Sequence, residues 1–142
     1  MQTANRAVRF CDLLAPNVYC AGMFNEIVLE HFRNPHNAGD LADAAATVSV
    51  VNPVCGDVLR LSVRLEDGRI AETRFKTQGC VAAIAASSVL TDALVGKTLE
   101  EAARVTADSI SDALGTLPPA TFHAAQLCAD AIVALLAQLR RP

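Results

Sequence analysis

Two residues that could bind a metal ion stand close together in the segment NPVCGD, residues 52–57. Cys55 offers a thiol and Asp57 a carboxylate, and Gly56 lies between them. The Asn-Pro pair and the glycine favour a tight turn, which places both side chains on a loop rather than in a hydrophobic core. Because thiolates and carboxylates are both ligands of zinc and iron, the segment predicts part of a metal site.

Two other residues could complete this site. Cys80 follows a predicted hairpin that begins just after Asp57, and the two ends of a hairpin are close in space. Cys80 also begins a predicted helix, where free N–H groups and the helix dipole favour a thiolate. His123 lies at the start of the last predicted helix. If that helix end points at the same corner, Cys55, Asp57, Cys80 and His123 form a tetrahedral set for zinc and a candidate set for iron.

Each of these residues also has an ordinary structural role available to it. A lone cysteine is commonly a small buried hydrophobic residue, and a histidine at a helix start is commonly a cap or a surface residue. An aspartate beside a glycine is a usual turn residue. Gly56 and Gly79 flank the two cysteines and allow close backbone approach. The wide spacing lacks the specificity of paired CxxC motifs, so the residues alone leave both interpretations open.

An antiparallel hairpin is the clearest pattern in the chain. Four apolar residues alternate with mostly polar ones along its first strand: Leu59, Leu61, Val63 and Leu65. Asp67-Gly68 gives a turn signal. Three residues continue the alternation on the return strand: Ala71, Thr73 and Phe75. A preceding β-branched segment, TVSVV from Thr47, predicts a third strand, and one face of the sheet is expected to be buried.

Helical patterns surround these strands. Apolar residues at helical spacing, capping signals and glycine or proline stops mark their ends. The predicted helices are, in order, one from just after Met23 to Asn34, one from near Cys80 to Gly96, one opening with a Thr98–Glu101 capping box, one within TADSISDALG, and one from about Ala120 to Arg140. This order predicts an α+β domain with a small three-stranded antiparallel sheet covered by helices.

Composition restricts the classes of function. The 142 residues are enough for one domain with a hydrophobic core, and 52% of them are hydrophobic. A net charge of −3 gives no electrostatic basis for binding nucleic acid or an acidic membrane. The uncharged run Thr77 to Thr91 is shorter than the about 20 residues that span a bilayer. We expect neither nucleic acid nor a membrane as a partner.

The cysteines indicate a reducing compartment. There are five of them, at wide and irregular spacing: Cys11, Cys20, Cys55, Cys80 and Cys128. An odd number at such spacing does not resemble a disulfide framework. Residues 1–22 contain no secretory pattern of an apolar run with a cleavage site. We therefore predict a cytoplasmic protein whose cysteines act as ligands or nucleophiles.

Four stretches of the chain resemble the iron–sulfur cluster scaffold family, which comprises IscU and the N-terminal domain of NifU. They are EIVLEHFRNPHNAG, NPVCGDVLRLSV, FKTQGCVAAIAASSVLTDALVGKTLEEA and LPPATFHAAQLCADAI. Their order and spacing also match, so the resemblance covers residues 23–142 and is specific. It implies a scaffold domain with a helix, three strands and further helices, and it implies four ligand positions: Cys55, Asp57, Cys80 and His123. Residues 1–22 lie outside it and are interpreted as an N-terminal tail or a start-site extension.

The chain departs from the family pattern at three positions near these ligands. The family carries a third cysteine directly after the histidine, where this chain has Ala124. Val81 replaces a glycine of the family beside the cluster loop. The LPPVK segment, which in bacterial members recruits a dedicated Hsp70-type chaperone, is LPPAT here, with Thr121 in place of the lysine. Recruitment of such a chaperone is therefore doubtful.

Cys128 is a candidate substitute ligand or persulfide acceptor in place of the missing cysteine. On a continuous helix it lies one turn and about 6 Å beyond Ala124, and about 140° around the axis from His123. It also shares a stripe with Ile132, Leu135 and Leu139, which favours a packing role. An unwound first turn would be needed to bring its thiol to the site.

The resemblance implies a scaffold or carrier rather than an enzyme. Such a protein receives sulfur from a cysteine desulfurase and iron from a donor, holds a labile [2Fe–2S] cluster and passes it to apo-proteins. A second hypothesis is a zinc-bound sulfur-transfer partner of a cysteine desulfurase, with Zn²⁺ on the same four residues. A third is a divergent scaffold that acts only as a binding module.

Overall fold

The fold consists of a three-stranded sheet and the helices that cover it. The computed structural model describes residues 24–140, so the interpretation of residues 1–22 falls outside the described part. The elements are α1 (Glu26–Arg33), β1 (Ala46–Val51), β2 (Val58–Glu66), β3 (Arg69–Gln78), α2 (Val81–Leu94), α3 (Leu99–Ala102), α4 (Ala107–Ala113), a 3₁₀ turn (Pro119–Thr121) and α5 (His123–Leu139). The predicted α+β class is confirmed.

The sheet is antiparallel throughout, in the order β1-β2-β3, with β2 in the centre. Asp67 and Gly68 both have positive φ, 55° and 77°, as the predicted two-residue turn requires. The register changes near this turn, because Arg64 pairs with Glu72 whereas Leu65 pairs with Ile70. Ala71 is therefore the extra residue of a bulge.

The bulge corrects one detail of the predicted alternation. Thr73 and Phe75 are buried as expected, but Ile70 takes the buried position at the start of the strand and Ala71 is only half-buried. An inserted residue reverses the inside and outside faces of a strand, and no period-two pattern anticipates it.

Side-chain caps fix several helix ends. Asn25 accepts a hydrogen bond from the Val28 N–H at the start of α1. Thr98 and Glu101 form the predicted capping box of α3. The last helix is shorter than predicted: a 3₁₀ turn occupies Pro119–Thr121, and the regular helix begins at His123.

The core lies between the sheet and helices α2 and α5. The inward face of β2 contributes Leu59, Leu61 and Val63, none of which is exposed to solvent. Small alanines on α2 and α5 allow these two helices to pack closely on the strands and on each other. By length and apolar composition the segment Pro119–Leu139 could also span a membrane, but half of it is buried inside the fold, as in core helices of soluble proteins.

Candidate metal centre

Asn52 organises the loop between β1 and β2. Its backbone N–H donates to the Asp57 carbonyl at 2.8 Å, and its carbonyl accepts from the Gly56 N–H at 2.8 Å. Its side-chain Oδ1 accepts from the N–H groups of Val54 at 2.8 Å and Cys55 at 3.3 Å. These bonds hold a tight loop from which Cys55 is exposed, while Asp57 is 8% exposed.

The same asparagine connects this loop to the last helix. Asn52 Nδ2 donates to the His123 carbonyl at 3.4 Å, and the Asn52 residue is buried. Asn52 is thus a positioning residue that sequence reasoning did not single out. Its position directly before Pro53 could have identified it from the sequence, because an asparagine in such a turn commonly forms a hydrogen bond with the backbone two residues ahead.

The four predicted ligand residues come together at one corner of the fold. One ligand atom each of Cys55, Asp57 and His123 lies within 4.8 Å of the others. The Cys80 thiol donates to Asp57 Oδ2 at 3.5 Å, and its Sγ lies 3.9 Å from His123 Nε2. Asp57 Oδ2 and His123 Nε2 are 3.8 Å apart. The corner therefore holds two thiols, one imidazole and one carboxylate, a donor set that suits zinc or iron.

The charge state of Cys80 differs from the sequence-based expectation. Burial raises the pKa of the Cys80 thiol above its ordinary value, and the charge and hydrogen bond of Asp57 raise it further. The backbone N–H groups of Ala83 and Ala82 at the start of α2 lower the pKa, as predicted, but they do not outweigh burial. The expectation of a favoured thiolate was therefore wrong on balance, because the pKa of the Cys80 thiol is raised in the metal-free protein, where the thiol donates to Asp57.

Gly79 and Gly56 serve different purposes. A Cβ at position 79 would lie 2.6 Å from Cγ of Asp57, so the absence of a side chain is what admits the carboxylate. Gly56 has free space around it but a φ of +77°, so its role is conformational rather than steric. The predicted close approach therefore holds at Gly79 and not at Gly56.

We expect Gly79→Ala to weaken metal binding without unfolding the protein. The new methyl group must displace Asp57 from Cys80 and His123, because a carbon contact of 2.6 Å is not tolerated. Metal retention should fall by about tenfold, as for other changes that misorient ligands. Metal content per chain after dialysis against a chelator measures the effect.

Gly68→Ala is the control for that prediction. Unlike Gly79, this glycine has a positive φ and sits at the hairpin turn with free space around it, so the substitution should cost on the order of 1 kcal/mol and leave metal retention unchanged. Equal metal retention in Gly79→Ala and wild type would show that the contact with Asp57 does not matter for binding.

Cys128 lies in the core. Its side chain has no exposed area, and α5 is regular from His123 onward, without the unwound turn that would carry Cys128 outward. Burial raises the pKa of its thiol far above the ordinary value, although a hydrogen bond with Ser87 acts in the opposite direction. Ala124 is also fully buried. The thiols at the corner, within the described residues, are those of Cys55 and Cys80.

Known proteins resemble this chain over most of its length. Residues 23–141 match the family described as the NifU-like N terminal domain. The iron-sulfur cluster assembly scaffold protein IscU 1 of Archaeoglobus fulgidus is 44% identical over 110 residues, which cover 78% of this chain and 72% of the relative. The scaffold protein IscU of Haemophilus influenzae is 40% identical over 121 residues, covering 82% of this chain and 95% of the relative.

A solved structure has the same fold. The N-terminal part of a NifU-like protein from Brucella abortus superposes with a TM-score of 0.67 at 20% identity. The match covers 81% of this chain and 92% of that one. The arrangement of three strands and covering helices is thus shared with a protein whose sequence has diverged widely.

Proposed function

The chain belongs to the family of NifU-like N-terminal domains, and on that basis we propose that it is an iron–sulfur cluster assembly scaffold. We further propose that it carries a [2Fe–2S] cluster as cargo on Cys55, Asp57, Cys80 and His123. The convergence of these four side chains at one corner, in a chain of this family, is the observation that carries the proposal. The role is that of a carrier rather than a catalyst.

The donor set supports temporary holding of a cluster. Iron–sulfur clusters are most often held by four cysteines, whereas this corner offers two thiols, an imidazole and a carboxylate. A carboxylate is a hard ligand for a cluster and exchanges readily with an incoming thiol. A cluster held in this way should therefore leave easily.

The exposure of the loop supports delivery to partners. Cys55 is exposed, and the neighbouring Val54 has 91% of its surface exposed, so the tip of the loop offers a thiol beside an apolar contact. We propose a cysteine desulfurase, an iron donor and apo-proteins as the partners, in the cytoplasm. The buried Thr121, whose hydroxyl donates to the Pro118 carbonyl at 3.1 Å, presents no charged side chain to an Hsp70-type chaperone.

Anaerobic reconstitution tests the proposal. The full chain is incubated with ferrous iron, a thiol reductant and a cysteine desulfurase with its substrate. We expect a brown protein with iron and acid-labile sulfide in equal amounts and with visible absorbance from sulfide-to-iron charge transfer. Transfer of the cluster to an apo-ferredoxin should follow. A protein that stays colourless and retains no sulfide contradicts the scaffold function.

The same experiment separates the two other hypotheses. A zinc-bound sulfur-transfer partner would be colourless, with one zinc ion per chain, and would need a free acceptor thiol. The complete burial of Cys128 and its raised thiol pKa count against that residue as the acceptor. A protein that binds neither zinc nor iron at the corner would be a binding module only.

A further inference from the structure

A second group of ligand side chains lies at the other end of α2. One ligand atom each of His31, His36 and Asp92 falls within 4.8 Å of the others. His31 is in the last turn of α1, His36 is in the loop that follows, and Asp92 is near the end of α2. Because Cys80 caps the start of α2, the rise of an α-helix separates the two groups by roughly 18 Å along the helix. This histidine–aspartate cluster is therefore distinct from the corner described above.

The three side chains face one another directly. The imidazole rings of His31 and His36 have their centroids 4.7 Å apart and are tilted by 51°. Nδ1 of His36 is in short hydrogen-bond contact with Oδ2 of Asp92. Half of the His36 side chain and nearly half of the Asp92 side chain are exposed, so an ion can reach them from solvent.

Neighbouring polar groups orient these side chains. Ser88, which has no exposed area, places its Oγ 2.8 Å from Nδ1 of His31 and accepts the His36 backbone N–H at 2.8 Å. Asn37 Nδ2 donates to Oδ1 of Asp92 at 3.1 Å. Metal-binding histidines and carboxylates are typically held by this kind of outer hydrogen bond, which reduces the freedom lost on binding.

The charge state of His31 also suits a metal ion. Partial burial lowers the pKa of His31, and the charge of the nearby His36 lowers it further, whereas Asp92 and Glu30 act in the opposite direction. At neutral pH His31 is therefore mainly neutral, which is the form of imidazole that binds metals.

We propose that His31, His36 and Asp92 bind one divalent first-row transition-metal ion, with water at the remaining positions. Two imidazole nitrogens and one carboxylate oxygen suit zinc, ferrous iron or cobalt, whereas calcium and magnesium prefer sites made of oxygen alone. Binding would link the end of α1 and its loop to α2 and stabilise the folded state by mass action. The site is independent of the proposed scaffold function.

Cobalt binding to the full chain tests the site. In a Cys55→Ser/Cys80→Ser background, which removes the thiolates of the corner, we expect about one bound Co²⁺ per chain, with weak visible bands and no thiolate charge transfer. Excess Co²⁺ should raise the melting temperature of this variant. In wild-type protein, thiolate charge transfer reports the corner separately, so its absence would count against the proposed function without affecting this site.

Two further substitutions in that background locate the ion. Asp92→Asn and His36→Gln should each weaken Co²⁺ binding by more than about tenfold. Asp130→Asn is the matched control, since Asp130 is an exposed aspartate on a helix outside both groups. Equal Co²⁺ affinity in Asp92→Asn and Asp130→Asn would overturn the proposal and leave the cluster as a set of hydrogen bonds only.

An NMR measurement that leaves the three proposed ligand residues unchanged tests the site even if one of the ligand variants misfolds. In the Cys55→Ser/Cys80→Ser protein, Co²⁺ should shift or broaden the imidazole NMR signals of His31 and His36 at concentrations below those that affect His123. Broadening of the His123 signals alone would overturn the proposal.

Discussion

Replacing either Cys55 or Cys80 by serine is expected to remove most of the iron and sulfide from the reconstituted protein. A serine hydroxyl is not deprotonated at neutral pH and is a poor ligand for a cluster, so the corner keeps only three suitable donors. Iron and acid-labile sulfide per chain should fall to less than about one tenth of the wild-type values. Both are measured after anaerobic reconstitution and desalting.

Cys128→Ala is the matched control, because it also removes one cysteine but from the core. Its thiol is fully buried, so the substitution should cost on the order of 1 kcal/mol in the free energy of unfolding and leave cluster content unchanged. Full cluster content in both serine variants would place the site elsewhere. Loss of cluster in Cys128→Ala with unchanged stability would give Cys128 the role of the missing third cysteine.

Asp57→Ala is expected to lengthen the lifetime of the bound cluster. Asp57 supplies the most readily exchanged ligand of the set and also opposes ionisation of Cys80, through its charge and the hydrogen bond that it accepts. Burial is the main cause of the raised pKa of the Cys80 thiol, and Asp57 raises it further. Removing the carboxylate should therefore lower this pKa. More thiolate is then available at a given pH to hold the metal.

Two measurements check this prediction. The decay of the visible absorbance in the presence of a chelator should be several-fold slower in Asp57→Ala than in wild type. A fivefold change in the decay rate corresponds to roughly 1 kcal/mol of free energy. The rate of Cys80 alkylation in the metal-free protein, followed by peptide mass spectrometry, should show its pH midpoint shifted to lower pH. Asp57→Asn separates charge from shape and should shift the midpoint in the same direction. A faster decay in Asp57→Ala, or an unchanged midpoint in both variants, would contradict the proposed role of the carboxylate.

The local features of the fold were predictable from the sequence because each depends on residues close along the chain. Alternating apolar residues predicted β2, and Asp67-Gly68 predicted the turn with positive φ. The capping box of Thr98 and Glu101 marked α3. The types of the four candidate ligands, and the absence of a cysteine at position 124, could also be read directly. These signals identified the fold class and the chemistry available at the corner.

Only the tertiary structure decided how that chemistry is arranged. Asn52 connects the loop to the carbonyl of His123, 71 residues away, and Asp57 rests against Gly79. The fold also decided that burial raises the pKa of the Cys80 thiol and that Cys128 is enclosed in the core. The physical reason is the same in each case. How the elements pack determines which distant segments touch and which groups lose their solvent on burial. Periodicity and capping, in contrast, act within a few residues of the chain.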